Sequence, residues 1–331
     1  MKLTPVFSAV LLSLVFCSCD NAPPAPQPAA PAKPAAAPKE KGKMVIGFSQ
    51  VGAESVWRTA ETDSIQNEAK LRGVDLRFVD AQGKQENQIK ALRSFAAQKV
   101  DAVILAPKVE TGWGPVLLDL QREKIPVILV DRGIKVKEPG LFVSLVASDF
   151  VEEGWRAGEW LAKKMNGKAN IVQLEGTVGS APANDRRAGF ERGLKRYPDM
   201  KIILTQSGDF NRAKGKEVME AFLKSKGKEI NAVYAHNDDM ALGAIQAIEE
   251  AGLKPGKDII IVSIDGVKEA FEAIVAGKLN CTVECNPLLG TTVFDLLDSI
   301  RNGDTPPQKM VVHDELYDEA NAAQALPSRK Y

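Results

Sequence analysis

The chain has 331 residues, more than a single hydrophobic core usually holds, so its length predicts about two domains. The 44% of hydrophobic and 26% of charged residues are ordinary for a globular protein in water. Because 43 basic residues balance 43 acidic ones, no net charge would draw the chain onto nucleic acid or an anionic membrane.

The first residues predict an export signal. An apolar run over 6–16 follows Lys2 and is too short to span a bilayer, which is typical of a secretory signal peptide at 1–18. The run ends in the motif FCSCD at 16–20, which resembles a bacterial lipobox with Cys19 as the lipid-bearing residue. Cleavage by the ordinary signal peptidase, which would release a free protein, is the alternative.

Residues 21–42 consist mostly of Ala, Pro and Lys, with hardly any large apolar side chain. Such a stretch cannot bury a core, so we expect the lipidated Cys19 and an extended tether to occupy 19–43. Asp20 resembles the signal that keeps lipoproteins at the inner membrane of some Gram-negative bacteria. The expected location is therefore the periplasm, or the outer face of the cytoplasmic membrane, with a lipid anchor.

From residue 44 the pattern alternates between short apolar runs and helical periodicity. Predicted strands at 44–48, 76–79, 103–106 and 127–130 are rich in Val and Ile, as expected when helices cover both faces of a parallel sheet. A second alternation follows, with strands at 171–174, 202–205, 232–235 and 259–264 and helices between them. The fold class is therefore α/β, with two Rossmann-like, doubly wound lobes.

A last predicted strand, 281–284, and a helix, 288–300, follow the second alternation. If they return to the first lobe, the chain crosses between the lobes more than once and forms a hinge. Cys281 and Cys285 would lie on one face of this strand but roughly 13 Å apart, too far for a disulfide. Two small, partly buried thiols are favoured over half of a zinc site, and no metal site is predicted.

Polar groups follow most of the predicted strands, where open α/β sheets bind their ligands. Carboxylate, guanidinium and carboxamide groups each pair with two neighbouring hydroxyls of a sugar, and aromatic rings pack on the C–H faces of its ring. A lone Asp after a strand more often caps the next helix. The pair Asp131-Arg132 is the strongest signal, because a buried ion pair without a ligand is costly. Further candidates are Glu54, Trp57, Arg58, Trp113, Arg187, Phe210, Asn237, Asp265 and Glu284.

Five stretches carry a family resemblance: GFSQVG at 47–52, KQENQ at 84–88, SGDF at 207–210, YAHNDDM at 234–240 and SIDGV at 263–267. Together they resemble the ribose/galactose class of periplasmic binding proteins, and within it the galactofuranose-binding members. The resemblance covers about 44–317. It implies a type I periplasmic binding protein fold, in which three crossings form the hinge and the cleft clamps a sugar. The implied lobes are 44–147 plus about 286–305, and 148–281 plus about 306–331 with the C-terminal tail.

The resemblance also implies a set of ligand-binding residues. Val56 departs from it, since the similar sequences have glycine there. The acid at Glu284, where ribose binders usually have a carboxamide, favours a galactofuranose-like ligand over ribose. The implied contacts are Glu54, Ser55, Trp57, Arg58, Asp131, Arg132, Arg186, Phe210, Asn237, Asp265 and Glu284.

The implied function is that of an extracytoplasmic solute-binding protein that delivers a monosaccharide to the permease of an ABC importer, without a cofactor. A lipid-anchored sugar sensor for a chemoreceptor or sensor kinase is the alternative. A repressor sharing this fold would need a DNA-binding domain where the signal stands. An enzyme is disfavoured, because the chain lacks a G-x-x-x-x-G-K loop, has only two His, and places Arg beside its candidate carboxylates.

Overall fold

The computed structural model describes residues 42–331. The predicted signal peptide, Cys19 and nearly all of the predicted tether lie outside the described residues. Strands and helices alternate as follows: β1 (Val45–Gln50), α1 (Val56–Leu71), β2 (Asp75–Asp80), α2 (Gln85–Ala97), β3 (Ala102–Leu105), α3 (Gly114–Arg122), β4 (Val127–Val130), β5 (Ser144–Ala147), α4 (Phe150–Lys164), β6 (Lys168–Glu175), α5 (Ala181–Leu194), β7 (Asp199–Ser207), α6 (Arg212–Lys226), β8 (Ala232–Ala235), α7 (Asp238–Glu250), β9 (Ile260–Asp265), α8 (Lys268–Val275), β10 (Cys281–Glu284), α9 (Gly290–Asn302), β11 (Lys309–Val311), β12 (Leu316–Asp318) and α10 (Ala322–Ala325).

The strands form two six-stranded sheets, one in each lobe. The first sheet has the order β11-β5-β4-β3-β1-β2 and the second the order β12-β10-β9-β8-β6-β7. All pairings are parallel except that of β10 with β12, which closes the second sheet with an antiparallel edge. The predicted α/β class with two doubly wound lobes is confirmed.

Each sheet is covered by helices on both faces, which explains why its central strands are apolar throughout. In the first lobe, α1 and α9 pack on one face, and Phe294 and Leu297 of α9 share a buried cluster with Ile46 and Ile104 of the strands. Helices α2 and α3 cover the other face. Among residues 42–331, no helix is long and apolar enough to cross a membrane.

Three crossings join the lobes, after β5, after β10 and after β11. Asp314 in the third crossing ties all of them together, because its Oδ1 accepts a hydrogen bond from the backbone N–H of Asn286 at 3.0 Å and its carboxyl bonds the hydroxyl of Ser148. Burial, and next the nearby Glu153, raise the pKa of Asp314 to about 7. The hinge therefore contains a carboxyl group that titrates near neutral pH.

The expected lobe boundary at about residue 306 is wrong for one strand. Lys309, Met310 and Val311 of β11 pair in parallel with β5 at the edge of the first sheet. Only β12 belongs to the second sheet, where it pairs with β10. The first lobe therefore extends to 311, because the chain leaves its sheet only after adding this short edge strand.

Candidate functional site

A cavity with about 270 Å³ of unfilled space lies between the two lobes. It lies beyond the carboxyl ends of the strands, and ten of the eleven expected contact residues line it. The lining consists of Glu54, Ser55, Trp57, Arg58, Asp131, Arg132, Pro182, Arg186, Phe210, Asn237, Asp265 and Cys285.

Arg58 is the centre of the charged network in the first lobe. Its guanidinium bonds Asp131 at 2.6 Å, Glu61 at 2.5 Å and Glu54 at 3.2 Å. Burial lowers the pKa of Arg58, but the three carboxylates outweigh it and the pKa rises well above the usual value. The arginine is therefore a permanent cation, and its partners fix the guanidinium plane at the cavity wall.

Asp131 and Arg132 follow β4 directly, as expected from the sequence. Asp131 has a φ of 59°, a left-handed conformation that is uncommon for a residue other than glycine. Arg132 donates to Glu54 at 3.1 Å and to the carbonyl of Lys108 at 3.2 Å, but its buried Nε has no hydrogen-bond partner in the structure. This Nε lies 3.4 Å from Oδ2 of Asp131, an ion-pair contact without a hydrogen bond, so an acceptor on a ligand would satisfy this buried donor.

Arg186 on α5 is the counterpart in the second lobe. It donates to Glu153 at 2.7 Å and to the carbonyl of His236 at 2.6 Å, and it lies 3.6 Å from Asp265. Burial raises the pKa of Asp265 well above its ordinary value, against the opposing effect of Arg186. Burial raises the pKa of Glu153, against the opposing effects of Arg186 and of a hydrogen bond with the Cys285 side chain.

Close helix packing puts Arg186 in place. Glycines occupy the points where α5 crosses α4. A Cβ on Gly189 would lie 2.1 Å from the carbonyl oxygen of Val151, and a Cβ on Gly154 would lie 2.2 Å from the carbonyl oxygen of Arg186. The backbones approach more closely than any side chain permits. This approach brings Glu153 on α4 within hydrogen-bonding distance of Arg186 on α5.

Two aromatic rings complete the cavity. Phe210 in the second lobe lies 5.3 Å from the guanidinium of Arg132 and 5.9 Å from that of Arg186, so cations of both lobes flank one ring. Trp57 at the start of α1 donates its Nε1–H to the carbonyl of Cys285 at 2.5 Å. Both rings offer flat apolar surface to a ligand.

Ser55 and Asn237 line the cavity and also cap helices. Ser55 accepts the backbone N–H of Arg58 at 3.1 Å, and Asn237 accepts that of Met240 at 3.0 Å. The Asn237 side chain also donates to the carbonyl of Phe210 at 3.1 Å. The two interpretations of such residues, cap and site residue, are therefore compatible.

Glu284 does not line the cavity, contrary to the prediction. Its Oε1 accepts hydrogen bonds from Arg329 at 2.7 Å and Tyr331 at 3.0 Å, and its Oε2 accepts the backbone N–H of Glu315 at 3.2 Å. The carboxylate is thus held by residues on both sides of β12. Trp113 is also absent from the cavity, because its fully buried indole packs in the first lobe and donates to Val109.

Sequence reasoning missed four residues of the site. Pro182 and Cys285 line the cavity, while Glu61 and Glu153 bind its arginines from behind. Glu61 and Glu153 lie within helices, so they carry no signal of a strand end. A charged residue on the apolar face of a helix was the available signal for Glu153. Cys285 follows β10 directly, but a thiol is usually a core residue.

The cavity lining contains three guanidinium groups and three carboxyl groups, with a carboxamide and a hydroxyl. Guanidinium and carboxyl groups are equal in number in the lining, and Glu61 and Glu153 pair with two of the guanidinium groups. Among the described residues, no group of three or more His, Cys, Asp or Glu is arranged to hold a metal ion. The arrangement suits a small, neutral molecule with many hydroxyl groups.

The fold and cavity define a two-lobed ligand-binding protein. Residues 46–305 match the family described as periplasmic binding protein domain, and the chain belongs to this family. Galactofuranose-binding protein YtfQ of Escherichia coli (strain K12) is 50% identical over 291 residues, 87% of this chain and 92% of that protein. The family resemblance read from the sequence motifs is therefore confirmed.

Two solved structures of similar proteins agree with this family assignment. The periplasmic binding protein component of the arabinose ABC transporter from Shewanella sp. ANA-3, bound to alpha and beta-L-arabinofuranose, is 52% identical with a TM-score of 0.85, covering 87% of this chain and 96% of that one. A structure from Mycobacterium smegmatis in complex with beta-D-fucofuranose is 49% identical with a TM-score of 0.85, covering 87% and 95%. The expected type I periplasmic binding protein fold is confirmed.

Proposed function

We propose that this protein is the sugar-binding component of an ABC importer and that it binds a galactofuranose-like monosaccharide between its lobes. The observation that carries the proposal is the cavity lining, in which three guanidinium and three carboxyl groups from both lobes surround about 270 Å³. Paired donors and acceptors at this density match adjacent hydroxyl groups, and a neutral sugar is the ligand class they suit.

The relatives narrow the proposed ligand to a furanose. The names of the similar proteins mention galactofuranose, arabinofuranose and fucofuranose, which share a five-membered ring. Trp57 and Phe210 would pack on the faces of this ring, while Arg58, Asp131 and Arg186 would bind its hydroxyl groups. Among the eleven contacts that the family resemblance implies, only Glu284 is left out of the cavity lining.

Binding would proceed by closure of the hinge. Arg58, Asp131 and Arg132 belong to the first lobe, whereas Arg186, Asn237 and Asp265 belong to the second, so a sugar contacts both sets only when the lobes are closed. A ligand shifts the equilibrium between the open and closed forms because it binds the closed form more tightly than the open form. The closed pair of lobes would then be the form that the permease recognises.

We also propose that Cys19 carries a lipid that holds the protein at the membrane and that the protein performs no catalysis. The similar proteins are named as binding components, which supports the second proposal. Replacing Cys19 by Ser should move the protein from the membrane fraction to the soluble fraction. An unchanged membrane fraction would refute the anchor.

The experiment that tests the function is a thermal-shift titration after bound sugar has been removed by unfolding and refolding. The panel contains galactose, fucose, arabinose, ribose and glucose, whose solutions include furanose forms, together with methyl galactofuranosides. A ligand that binds only the native state raises the melting temperature with concentration. No shift with any sugar, and no sugar released on denaturation in mass spectrometry, would reject the proposal.

Asp131→Ala is the matching variant. Because Asp131 would bind hydroxyl groups and holds Arg58, affinity should fall by at least ~100-fold, the effect of losing two charge-assisted hydrogen bonds. Asp119→Ala is the control, since Asp119 pairs with Arg122 on the surface of the same lobe. Equal affinity of the two variants would contradict the assignment of Asp131.

A further inference from the structure

Arg329 lies outside the cavity but contacts the loop that carries Asp265. The segment that contains it folds back onto the second lobe, where Lys268 donates its backbone N–H to the carbonyl of Tyr331 at 2.6 Å. The Arg329 side chain is only 8% exposed, and its guanidinium lies 4.7 Å from the ring of Phe271 and 4.6 Å from that of Tyr331. A buried guanidinium held between aromatic rings has a fixed position.

This guanidinium joins two strand ends. One nitrogen donates to Glu284 at 2.7 Å at the end of β10, and the other donates to the carbonyl of Gly266 at 2.7 Å, directly after β9. The strand register pairs Glu284 with Asp265. Their carboxyl groups nevertheless diverge, since Asp265 lines the cavity while Glu284 contacts Arg329.

The divergence requires an unusual backbone. Asp265 has a φ of 132°, a value that is a genuine outlier for a residue with a side chain, and Gly266 follows with a φ of 77°. Such strained conformations persist only where the surroundings over-determine them. Here the Asp238 carboxylate accepts hydrogen bonds from the backbone N–H groups of Gly266 and Val267, at 2.7 and 2.9 Å. The backbone N–H of Cys285 donates to the carbonyl of Asp265. Arg329 holds the remaining carbonyl, that of Gly266.

We propose that Arg329 is a positioning residue for ligand binding: by holding Glu284 and the carbonyl of Gly266, it keeps the strained loop in the conformation that presents Asp265 to the cavity. The inference rests on the proposed function. The sequence predicted Glu284 as a ligand contact. The inference gives it a different role, which is to support Asp265, its neighbour on β9. Arg329 contacts no lining residue directly; it acts through the loop backbone.

The test compares Arg329→Ala with Lys330→Ala, which removes the exposed cation beside it. Sugar affinity should fall about tenfold or more in Arg329→Ala and stay unchanged in Lys330→Ala, because only the first loses charge-assisted hydrogen bonds to the loop. Arg329→Lys, which cannot bridge two acceptors in a plane, should bind as weakly as Arg329→Ala. Full affinity in Arg329→Ala, with wild type binding sugar, would overturn the inference and leave the proposed function intact.

A double-mutant cycle separates positioning from general stabilisation. In an Asp265→Asn background, adding Arg329→Ala should change the affinity less than twofold, because the two residues act through one contact. Additive losses would refute the inference. If Arg329→Ala does not fold, Tyr331→Phe and Glu284→Gln replace it in the cycle. Hydrogen exchange provides a readout without sugar: faster exchange confined to Gly266 and Val267 is expected, and unchanged exchange would contradict the inference.

Discussion

Asp239 in the second lobe accepts a hydrogen bond from the backbone N–H of Val56 in the first lobe at 2.9 Å. Val56 is the first residue of α1, so this carboxylate lies at the positive end of a helix dipole that belongs to the opposite lobe. Arg212 holds the same carboxylate through its other oxygen. The contact exists only when the lobes are closed, and it involves no ligand.

A second contact of this kind lies elsewhere on the cleft rim. Glu110 of the first lobe accepts a hydrogen bond from Asn184 of the second at 2.7 Å, and its backbone N–H donates to the carbonyl of Gly179 at 2.9 Å. Lys135 bonds the same Glu110 oxygen. The closed form is therefore stabilised from both lobes independently of the sugar.

We predict that Asp239→Ala weakens sugar binding about three- to tenfold, because the variant lowers the population of the closed form and the apparent affinity falls with it. Glu269→Ala is the matched control, since Glu269 binds Arg212 but does not reach the first lobe. Titration calorimetry measures both variants. An affinity of Asp239→Ala equal to that of the control would show that the rim contact does not influence closure.

The carboxyl of Glu61 predicts a pH dependence of stability. Burial raises its pKa to about 7 against the opposing effect of Arg58. The folded state then binds more protons than the unfolded state between about pH 4.5 and 7, so the contribution of Glu61 to stability is present below this window and is lost as the pH rises through it.

Glu61→Gln should therefore gain stability relative to wild type as the pH increases from 5 to 8, by at most about 1.4 kcal/mol per pH unit. Urea unfolding at several pH values measures the difference. Glu68→Gln, on the same helix but partly exposed, is the control and should follow wild type. A difference between Glu61→Gln and wild type that is constant with pH would contradict the raised pKa.

Gly189→Ala should destabilise the second lobe by about 1–3 kcal/mol, the usual effect of overpacking, because the new Cβ would meet the Val151 carbonyl at 2.1 Å. The separation of α4 and α5 would also move Arg186 away from Glu153, so sugar affinity should fall with stability. Gly73→Ala is a weaker perturbation, since no atom lies within 4 Å of its Cβ position and only its positive φ is strained. Equal effects of the two variants would contradict close packing as the cause.

Cys285 should react slowly with a maleimide and still more slowly with sugar present. It is 2% exposed and lines the cavity, and burial raises the pKa of its thiol well above the usual value, so little reactive thiolate forms. Cys281 is fully buried away from the cavity, so its rate should not respond to sugar. Mass spectrometry of labelled peptides follows each thiol separately. Equal protection of both cysteines would indicate global stabilisation and no contact at Cys285.

The alternating pattern predicted the two sheets because their central strands are continuous apolar runs, and such runs are the strongest signal in a sequence. The strand β5 and helix α4 were not predicted. β5 has only four residues, whereas α4 has a clear apolar face that includes Phe150, Ala157 and Leu161 and could have been recognised. β11 and β12 have three residues each and take their partners from the other end of the chain, so no local pattern reveals them.

Most of the cavity could be predicted because its residues follow strand ends, and parallel strands end at one edge. Glu284 fails this rule, although it ends β10 as Asp265 ends β9. The direction of each side chain depends on the φ of 132° at Asp265 and on the approach of Arg329 from a segment 45 residues further along the chain. Neither the strained backbone nor the distant partner can be recognised from the local sequence.

The three crossings have a consequence for the order in which the protein can assemble. Helix α9, which covers one face of the first sheet with Phe294 and Leu297, is made only after the whole of the second sheet except its edge strand β12. A chain that is still emerging from the ribosome therefore has only α1 to cover this face of its first sheet until about residue 300. The first lobe therefore cannot complete its core until most of the second lobe has been synthesised.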